Sequence, residues 1–314
     1  MCRQGLVVLA GGVGAARFLG GLVRVAPPET VTAVVNTGDD IELHGLTVCP
    51  DLDIIVYTLA GIVDADRAWG IGGDTWNGLS MLEKLGHDTW FRLGDRDLAV
   101  HIHRTERLRQ GHTLEQVTEE IRTALGVPIR VVPMTNAPVR THIETDDGVL
   151  PFQEYFVQRG ARDTVRRVIF RGIEQAAPAP SALEAIRSAR AVLIAPSNPF
   201  VSIGPILSLP GMRDAVARTR APVAAVSPII AGSAVKGPAA RMLESLGHDV
   251  SVLGVARLYR DLVDVMVMDR QDRALQPGVE ELGMRAVVAD TLLATPEKKR
   301  RLAKTVLAAL EGVT

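Results

Sequence analysis

Apolar residues in this chain come in short unbroken runs, with Gly, Pro, Asn and Asp falling between them. Leu6–Ala10, Val31–Val35, Ala191–Ala195, Pro222–Val226 and Ala286–Ala289 are such runs, and Val263–Met268 is another in which Met alternates with Val. Runs of this length without alternating polar positions read as strands buried on both faces, the habit of a parallel sheet. Between them the apolar spacing changes to three and four. That predicts helices over Ala15–Leu19, Ile54–Leu59, Leu79–Leu85 (closed by Gly86), Leu98–Arg109, Leu114–Leu125, Ala182–Arg187, Ala239–Leu246 and Pro296–Leu310. Thr113 and Gln116 stand three apart before the fifth of these, the spacing of a capping box. Strand alternating with helix predicts an α/β fold: a Rossmann-like, doubly wound, mostly parallel sheet.

One region breaks the rhythm. Asp88–Leu93 reads as a short strand, and Ile129–Pro133 as another. Val139, Thr141, Ile143 and Thr145 then alternate, Asp147-Gly148 is a turn signal, Phe152–Val157 returns, and Val165–Phe170 is again extended. Residues 88–175 therefore read as an inserted cap of helices and antiparallel strands, a lid over the crevice. Residues 1–87 and 176–314 are left as the α/β core.

Candidate chemistry gathers near the start. Leu6–Ala10 breaks into Gly11-Gly12-Val13-Gly14, and a helix follows. Glycines permit positive φ and close backbone approach, and a helix start offers amides to an anion. The turn matches neither well-known fingerprint: Ala15 and Ala16 stand where a Walker loop has Lys and Ser or Thr, and Arg17 where the dinucleotide pattern has glycine. The second strand ends in Asn36-Thr37-Gly38-Asp39-Asp40, and Cys49-Pro50-Asp51-Leu52-Asp53 precedes the next helix. Hard cations such as Mg²⁺ take carboxylate oxygens together with those of a bound phosphate. The bland alternatives are a turn role for Asp39 or Asp40 and a helix-cap role for Asp51 or Asp53. Two acidic pairs beside one strand-end crevice favour a metal and phosphate site.

Later segments add polar groups. The strand Ala191–Ala195 runs into Pro196-Ser197-Asn198-Pro199 and Ser202-Ile203-Gly204, where ligands bind in such sheets. Lys236-Gly237-Pro238 opens a helix and suits a phosphate. His101 and His103 are two apart and face different sides of their helix, poor geometry for a metal pair, so both read as solvated or satisfied. Lys298–Arg301 reads as a solvated face.

Composition narrows the class. A formal net charge of −1 leaves no basic footprint for nucleic acid. No apolar run approaches the roughly 20 residues of a membrane span. Met1–Gln4 leads straight into the first strand, and the two cysteines, Cys2 and Cys49, form neither a metal motif nor a disulfide framework. A cytoplasmic enzyme is the expectation.

Gly11–Arg17, Val35–Asp40, Cys49–Asp53, Leu93-Gly94-Asp95-Arg96-Asp97, Pro196–Pro199, Ser202–Leu207 and Ser227-Pro228-Ile229-Ile230 together resemble, in order and register, the 2-phospholactate transferases of the CofD/FbiA family from deazaflavin coenzyme F-420 biosynthesis. The resemblance implies a Mg²⁺-dependent transferase. In that reaction a hydroxyl of the deazaflavin Fo attacks the distal phosphorus of a guanylylated three-carbon donor and GMP leaves. The donor carries 2-phospholactate in archaeal relatives and phosphoenolpyruvate in actinobacterial ones. It implies a homodimer. It places the metal among Asp39, Asp40, Asp51 and Asp53, with Asp39 and Asp53 catalytic. The deazaflavin would lie near Asp53 and Arg92, and the nucleotide along Gly11, Gly12, Gly14, Ser197, Asn198, Ser202 and Lys236. Gly11–Gly14, Gly38–Asp40 and Gly94–Leu98 are more like the bacterial members, which favours phosphoenolpyruvate. Two rivals stand beside this reading. A sugar-nucleotide-binding regulator on the same fold would carry a different loop after the second strand, where this chain has Asp40-Ile41-Glu42-Leu43-His44. An NAD-dependent oxidoreductase would want an acid where Asn36 closes that strand.

Overall fold

In the computed structural model, which describes residues 5–313, seven parallel strands form one central sheet. Cys2 lies outside the described residues. The chain opens with β1 (Gly5–Ala10), α1 (Gly12–Leu22) and β2 (Val31–Val35). A hairpin, β3 (Ile41–Leu43) and β4 (Leu46–Val48), turns at His44 and Gly45, both at positive φ, and leads into α2 (Pro50–Leu59). Next come α3 (Asn77–Lys84), α4 (Asp95–Arg109), α5 (Leu114–Ala124) and β5 (Arg130–Pro133). The Thr113–Gln116 capping box opens α5 as its spacing predicts. Three antiparallel strands follow, β6 (Arg140–Thr145), β7 (Gly148–Pro151) and β8 (Val165–Arg171), then α6 (Pro180–Ser188) and β9 (Ala189–Ile194). The remainder is α7 (Ile203–Ser208), α8 (Met212–Ala217), β10 (Val223–Val226), α9 (Ala239–Ser245), α10 (Val252–Leu258), β11 (Val265–Asp269), α11 (Gln276–Glu280), β12 (Arg285–Ala289) and α12 (Pro296–Glu311).

The sheet order is β12-β11-β10-β9-β1-β2-β5, each pair parallel. Apolar residues on both faces explain why these strands carry no polar alternation. Leu6, Val8 and Ala10 of β1 pack with Phe18, Leu19, Ile55, Val306 and their neighbours on one face. Val7 and Leu9 pack with Ala182, Ile186, Ile206 and Val255 on the other. The chain winds one way from β1 to β2 and β5, and the other way from β9 to β10, β11 and β12. The switch point, where a doubly wound sheet opens a crevice, lies between β1 and β9.

Three local readings change. Arg130–Pro133, inside the segment expected as an insertion, is an edge strand of the main sheet, with Thr32 opposite Arg130 and Val34 opposite Val132. Residues 88–175 thus share the core as well as carrying the small sheet β7-β6-β8. Asp88–Leu93 forms no strand. Its aromatic pair, Trp90 and Phe91, lines a cleft instead of pairing with a neighbour. Phe152–Val157 is not extended either: residues Glu154–Gln158 make a π-type turn. Phe152 and Tyr155, three apart, bury together against Ile143, Val165, Val201 and Met242, a helical spacing that the short apolar run conceals.

Candidate active site

The strand ends on either side of the switch point face a cleft of about 620 Å³. β1 delivers Gly11–Gly14, β2 delivers Asp39, β9 delivers Ser197, Asn198 and Ser202, and β10 delivers Ser227 and Pro228. The glycine turn is dictated by crowding. A Cβ on Gly11 would stand 2.6 Å from Asp51 Oδ2 and 2.8 Å from Ser202 Cβ; one on Gly14 would stand 2.0 Å from the Pro196 carbonyl oxygen. Gly12 sits at φ +71° and its N–H donates to Asp51 Oδ1 at 2.8 Å. Ser197 Oγ donates to the Gly11 carbonyl at 2.7 Å. The turn's first amide therefore holds a carboxylate of the protein, while Val13 and Gly14 line the cleft.

Asn36 ties these parts together, a bracing role that its place in the Val35–Asp40 motif does not by itself assign. Fully buried, it donates through Nδ2 to Asp51 Oδ2 (2.9 Å) and to the Val201 carbonyl (3.1 Å), and its Oδ1 accepts from the Gly38 N–H (2.8 Å). One side chain thus braces the β2 loop, the first turn of α2 and the loop after β9. An aspartate here would add another buried acid beside Asp39 and Asp51 and could not donate to Asp51 as the amide does.

The four aspartates do not form one cluster. Asp39 and Asp51 line the cleft, and both are buried. Burial and the Asp51 charge hold the Asp39 carboxyl well above the usual range. Burial pushes Asp51 up to about 6, against the Asn36 and Gly12 hydrogen bonds. Asp39 Oδ1 has no hydrogen-bond partner, nor has the neighbouring Thr37 hydroxyl. Two facing buried acids with an orphaned oxygen fit a hard cation. Among the described residues no three His, Cys, Asp or Glu side chains gather as a ligand set, so such a cation would take its remaining oxygens from a bound phosphate or water.

Asp40 turns away from the cleft lining. It accepts a hydrogen bond from Cys49 Sγ at 3.1 Å, and burial pushes it up to about 7. Asp53 is also absent from the lining. Both its oxygens engage the Arg104 guanidinium, and His101 Nδ1 lies 3.8 Å away. Arg104 is itself only 2% exposed, and Tyr57 and His101 tie Asp97 into the same network. Neither Asp51 nor Asp53 caps its helix: both sit in the first turn of α2, and Cys49 is the N-cap residue. His101 is a buried core histidine whose Nδ1 meets Arg104 while its Nε2, 3.3 Å from Asp97, makes no hydrogen bond, and His103 is a half-exposed one 3.3 Å from Glu120.

The expected nucleotide residues Gly11, Gly12, Gly14, Ser197, Asn198, Ser202 and Lys236 all line the cleft, as does Arg92. Asn198 is partly spent on its own loop, its Oδ1 accepting from Phe200 N–H at 2.9 Å. Lys236 Nζ donates to the Arg67 carbonyl at 2.8 Å. The cleft also holds aromatic residues that the sequence motifs leave out. Trp69 and Trp90 each flank Phe91, with ring centroids 6.4 and 5.6 Å apart, and Phe152 stacks on Phe156 at 5.5 Å. In a chain only 4% aromatic, the adjacent Trp90-Phe91 pair was the available signal.

A family model described as 2-phospho-L-lactate transferase CofD matches residues 6–308. The chain belongs to the CofD family. It is 40% identical over 304 residues to a 2-phospho-L-lactate transferase of Methanosarcina mazei, covering 97% of this chain and all of that one. It is 41% identical over 315 residues to a phosphoenolpyruvate transferase of Kitasatospora aureofaciens, covering 98% of both. Among solved structures, a UPF0052-family protein of Bacillus halodurans superposes with a TM-score of 0.68 over 98% of this chain and 99% of that one. At 17% identity that likeness shows a shared fold alone. CofD-family members are transferases, so this CofD-family chain is an enzyme, and the oxidoreductase and regulator readings fall away. Among the described residues no helix is long and apolar enough to cross a membrane.

Proposed function

We propose that this CofD-family enzyme transfers a three-carbon phosphoacid unit from a guanylylated diphosphate donor to the deazaflavin Fo, releasing GMP and forming a coenzyme F-420 precursor. The observation that carries the reading is one cleft joining a buried acid pair, a glycine turn and a wall of aromatic rings. A diphosphate and a planar ring system are the ligand parts those features suit.

Val13, Gly14, Ser197, Ser202, Arg17 and Lys236 are the groups that hold the donor's phosphates and nucleotide. Trp69, Trp90, Phe91 and the Phe152–Phe156 stack cover the deazaflavin ring and exclude water, and Arg92 stands beside them. Asp39 and Asp51 would hold Mg²⁺, which when bound offsets the diphosphate charge. The ribityl hydroxyl oxygen bonds to the distal phosphorus while the phosphorus–oxygen bond to GMP breaks. Its electron pair leaves with GMP, and the hydroxyl proton passes to the Asp39–Asp51 pair. Asp53, held by Arg104 behind the cleft, keeps the first turn of α2 and hence Asp51 in place. The donor is read as phosphoenolpyruvate, supported by the bacterial likeness of Gly38–Asp40 and Gly94–Leu98; relatives of both names stand near 40% identity.

The test is direct. The protein is incubated with Fo, Mg²⁺ and both guanylylated donors, and GMP and product are followed by chromatography and mass spectrometry. GMP release with a dehydro product is the expected result. No GMP refutes the reaction; a saturated phospholactyl product refutes the donor and leaves the reaction standing.

A further inference from the structure

Trp76 does not line the cleft, yet two cleft arginines rest on it. The guanidinium carbon of Arg67 lies 4.8 Å from the indole centroid and that of Arg92 lies 5.0 Å away. Each cation is attracted to the ring, but two guanidiniums on one indole repel each other. Little nearby charge offsets them. Asp64 reaches Arg67 at 3.5 Å, whereas Arg92 makes no ion pair among the described residues, and Lys236 adds a third cation against the Arg67 carbonyl. The acids flanking Trp76 are spent elsewhere. Asp74 accepts from the Arg96 N–H at 2.9 Å. Asp95 accepts from the Gly78 N–H (2.8 Å) and from both the N–H (3.1 Å) and the side chain (2.9 Å) of Asn77.

Those same bonds fix the indole. Thr75 and Asn77, on either side of Trp76, both donate to Asp95 Oδ2. Gly94 leaves room for Asp74, whose carboxylate would sit 2.2 Å from a Cβ there. The Leu93-Gly94-Asp95-Arg96-Asp97 run, which no catalytic role above absorbs, thus clamps the segment that presents Trp76. We propose that Trp76 is a positioning residue holding Arg67 and Arg92 as a paired guanidinium site for the carboxylate of the donor's three-carbon acid. A planar fork suits a carboxylate better than a point charge does. The site borders Trp69, Trp90 and Phe91 in sequence and Lys236 in space, so it lies where acceptor ring and donor phosphates meet. The choice of ligand rests on the reaction proposed above; the site itself is tested without turnover.

Calorimetry in Mg²⁺ buffer compares phosphoenolpyruvate with vinyl phosphate, which lacks the carboxylate, on wild type, Arg67→Gln, Trp76→Leu and Trp76→Phe. Wild type is expected to bind phosphoenolpyruvate about tenfold more tightly, the worth of one charge-assisted contact. Arg67→Gln and Trp76→Leu should bind both probes alike, and Trp76→Phe, keeping a ring, should retain most of the preference. Arg67 is exposed and Trp76 half-buried, so the variants should fold, with circular dichroism as the check. Equal binding of the two probes by wild type, or an undiminished preference in Trp76→Leu, overturns the assignment. A preserved preference in a protein that fails to transfer to Fo supports the site and refutes the reaction.

Discussion

Arg104→Met is the sharpest probe of how the cleft floor is held. Arg104 is 2% exposed, and its guanidinium meets both oxygens of Asp53, the Thr47 carbonyl at 3.3 Å and His101 Nδ1 at 3.0 Å. Burial is the largest single influence and works against that charge, but the Asp53 charge and hydrogen bond, with Cys49 and Tyr57, together outweigh it. Methionine fills similar length and leaves Asp53 buried without its partner. Breaking such a pair from one side costs about 3–5 kcal/mol. At about 2–4 °C per kcal/mol for domains approaching this size, the melting temperature should fall on the order of 10 °C. Asp53→Leu alone should cost a similar amount, because it strands the arginine. The double variant should cost clearly less than the sum, since apolar replacement of a whole buried pair is often near neutral. Urea unfolding followed by circular dichroism measures all three free energies. A single Arg104→Met variant within about 1 kcal/mol of wild type, or strict additivity in the double variant, would refute the idea that the pair acts as a unit.

Three further outcomes concern the cleft and its surroundings. Gly14→Ala places a methyl 2.0 Å from the Pro196 carbonyl oxygen, so α1 must shift; it should lower the melting temperature by several degrees, and an unchanged value would mean that the loop yields freely. The buried acids set a pH dependence: with Asp51 and Asp40 raised from 3.8 to about 6 and about 7, the native state keeps protons that the unfolded chain has lost. Cation-free stability should therefore fall as pH rises from about 4 to about 7, by up to about 1.4 kcal/mol per pH unit for each group. Added Mg²⁺ should raise the melting temperature more at pH 8 than at pH 5, and equal shifts at both would count against a cation on Asp39 and Asp51.

Much of the sheet was readable because each core strand is apolar on both faces. Leu6–Ala10 shows its period-free run whether or not the partner strands are known. Where a segment's apolar residues serve something other than a sheet, the same logic fails. Trp90 and Phe91 are apolar because they line a cleft, and Phe152 and Tyr155 because a π-type turn buries them three apart. Arg130–Pro133 is an ordinary strand in sequence; only its pairing with β2 reveals that it closes the main sheet's edge.

The site divides along a similar line. Gly11 and Gly14 announce themselves by residue type, because a Cβ there would collide with Asp51, Ser202 and Pro196 and only glycine fits. Side chains whose role depends on distant partners carry no such mark. Asp51 and Asp53 are two apart on one helix turn, chemically identical in the sequence, yet one meets the Gly12 amide and Asn36 at the cleft while the other meets Arg104 behind it. A step of two on a helix turns the side chain through most of a half circle, so neighbours in sequence face different surroundings. The spacing that made the four aspartates look like one metal cluster is the spacing that separates them. Asp39 and Asp51 line the cleft, and Asp53 meets Arg104 behind it from the same first turn of α2 as Asp51. Arg104 could not be singled out beforehand: fifty-one residues from Asp53, it sits in a helix that also holds exposed arginines, and only the fold shows which one is buried.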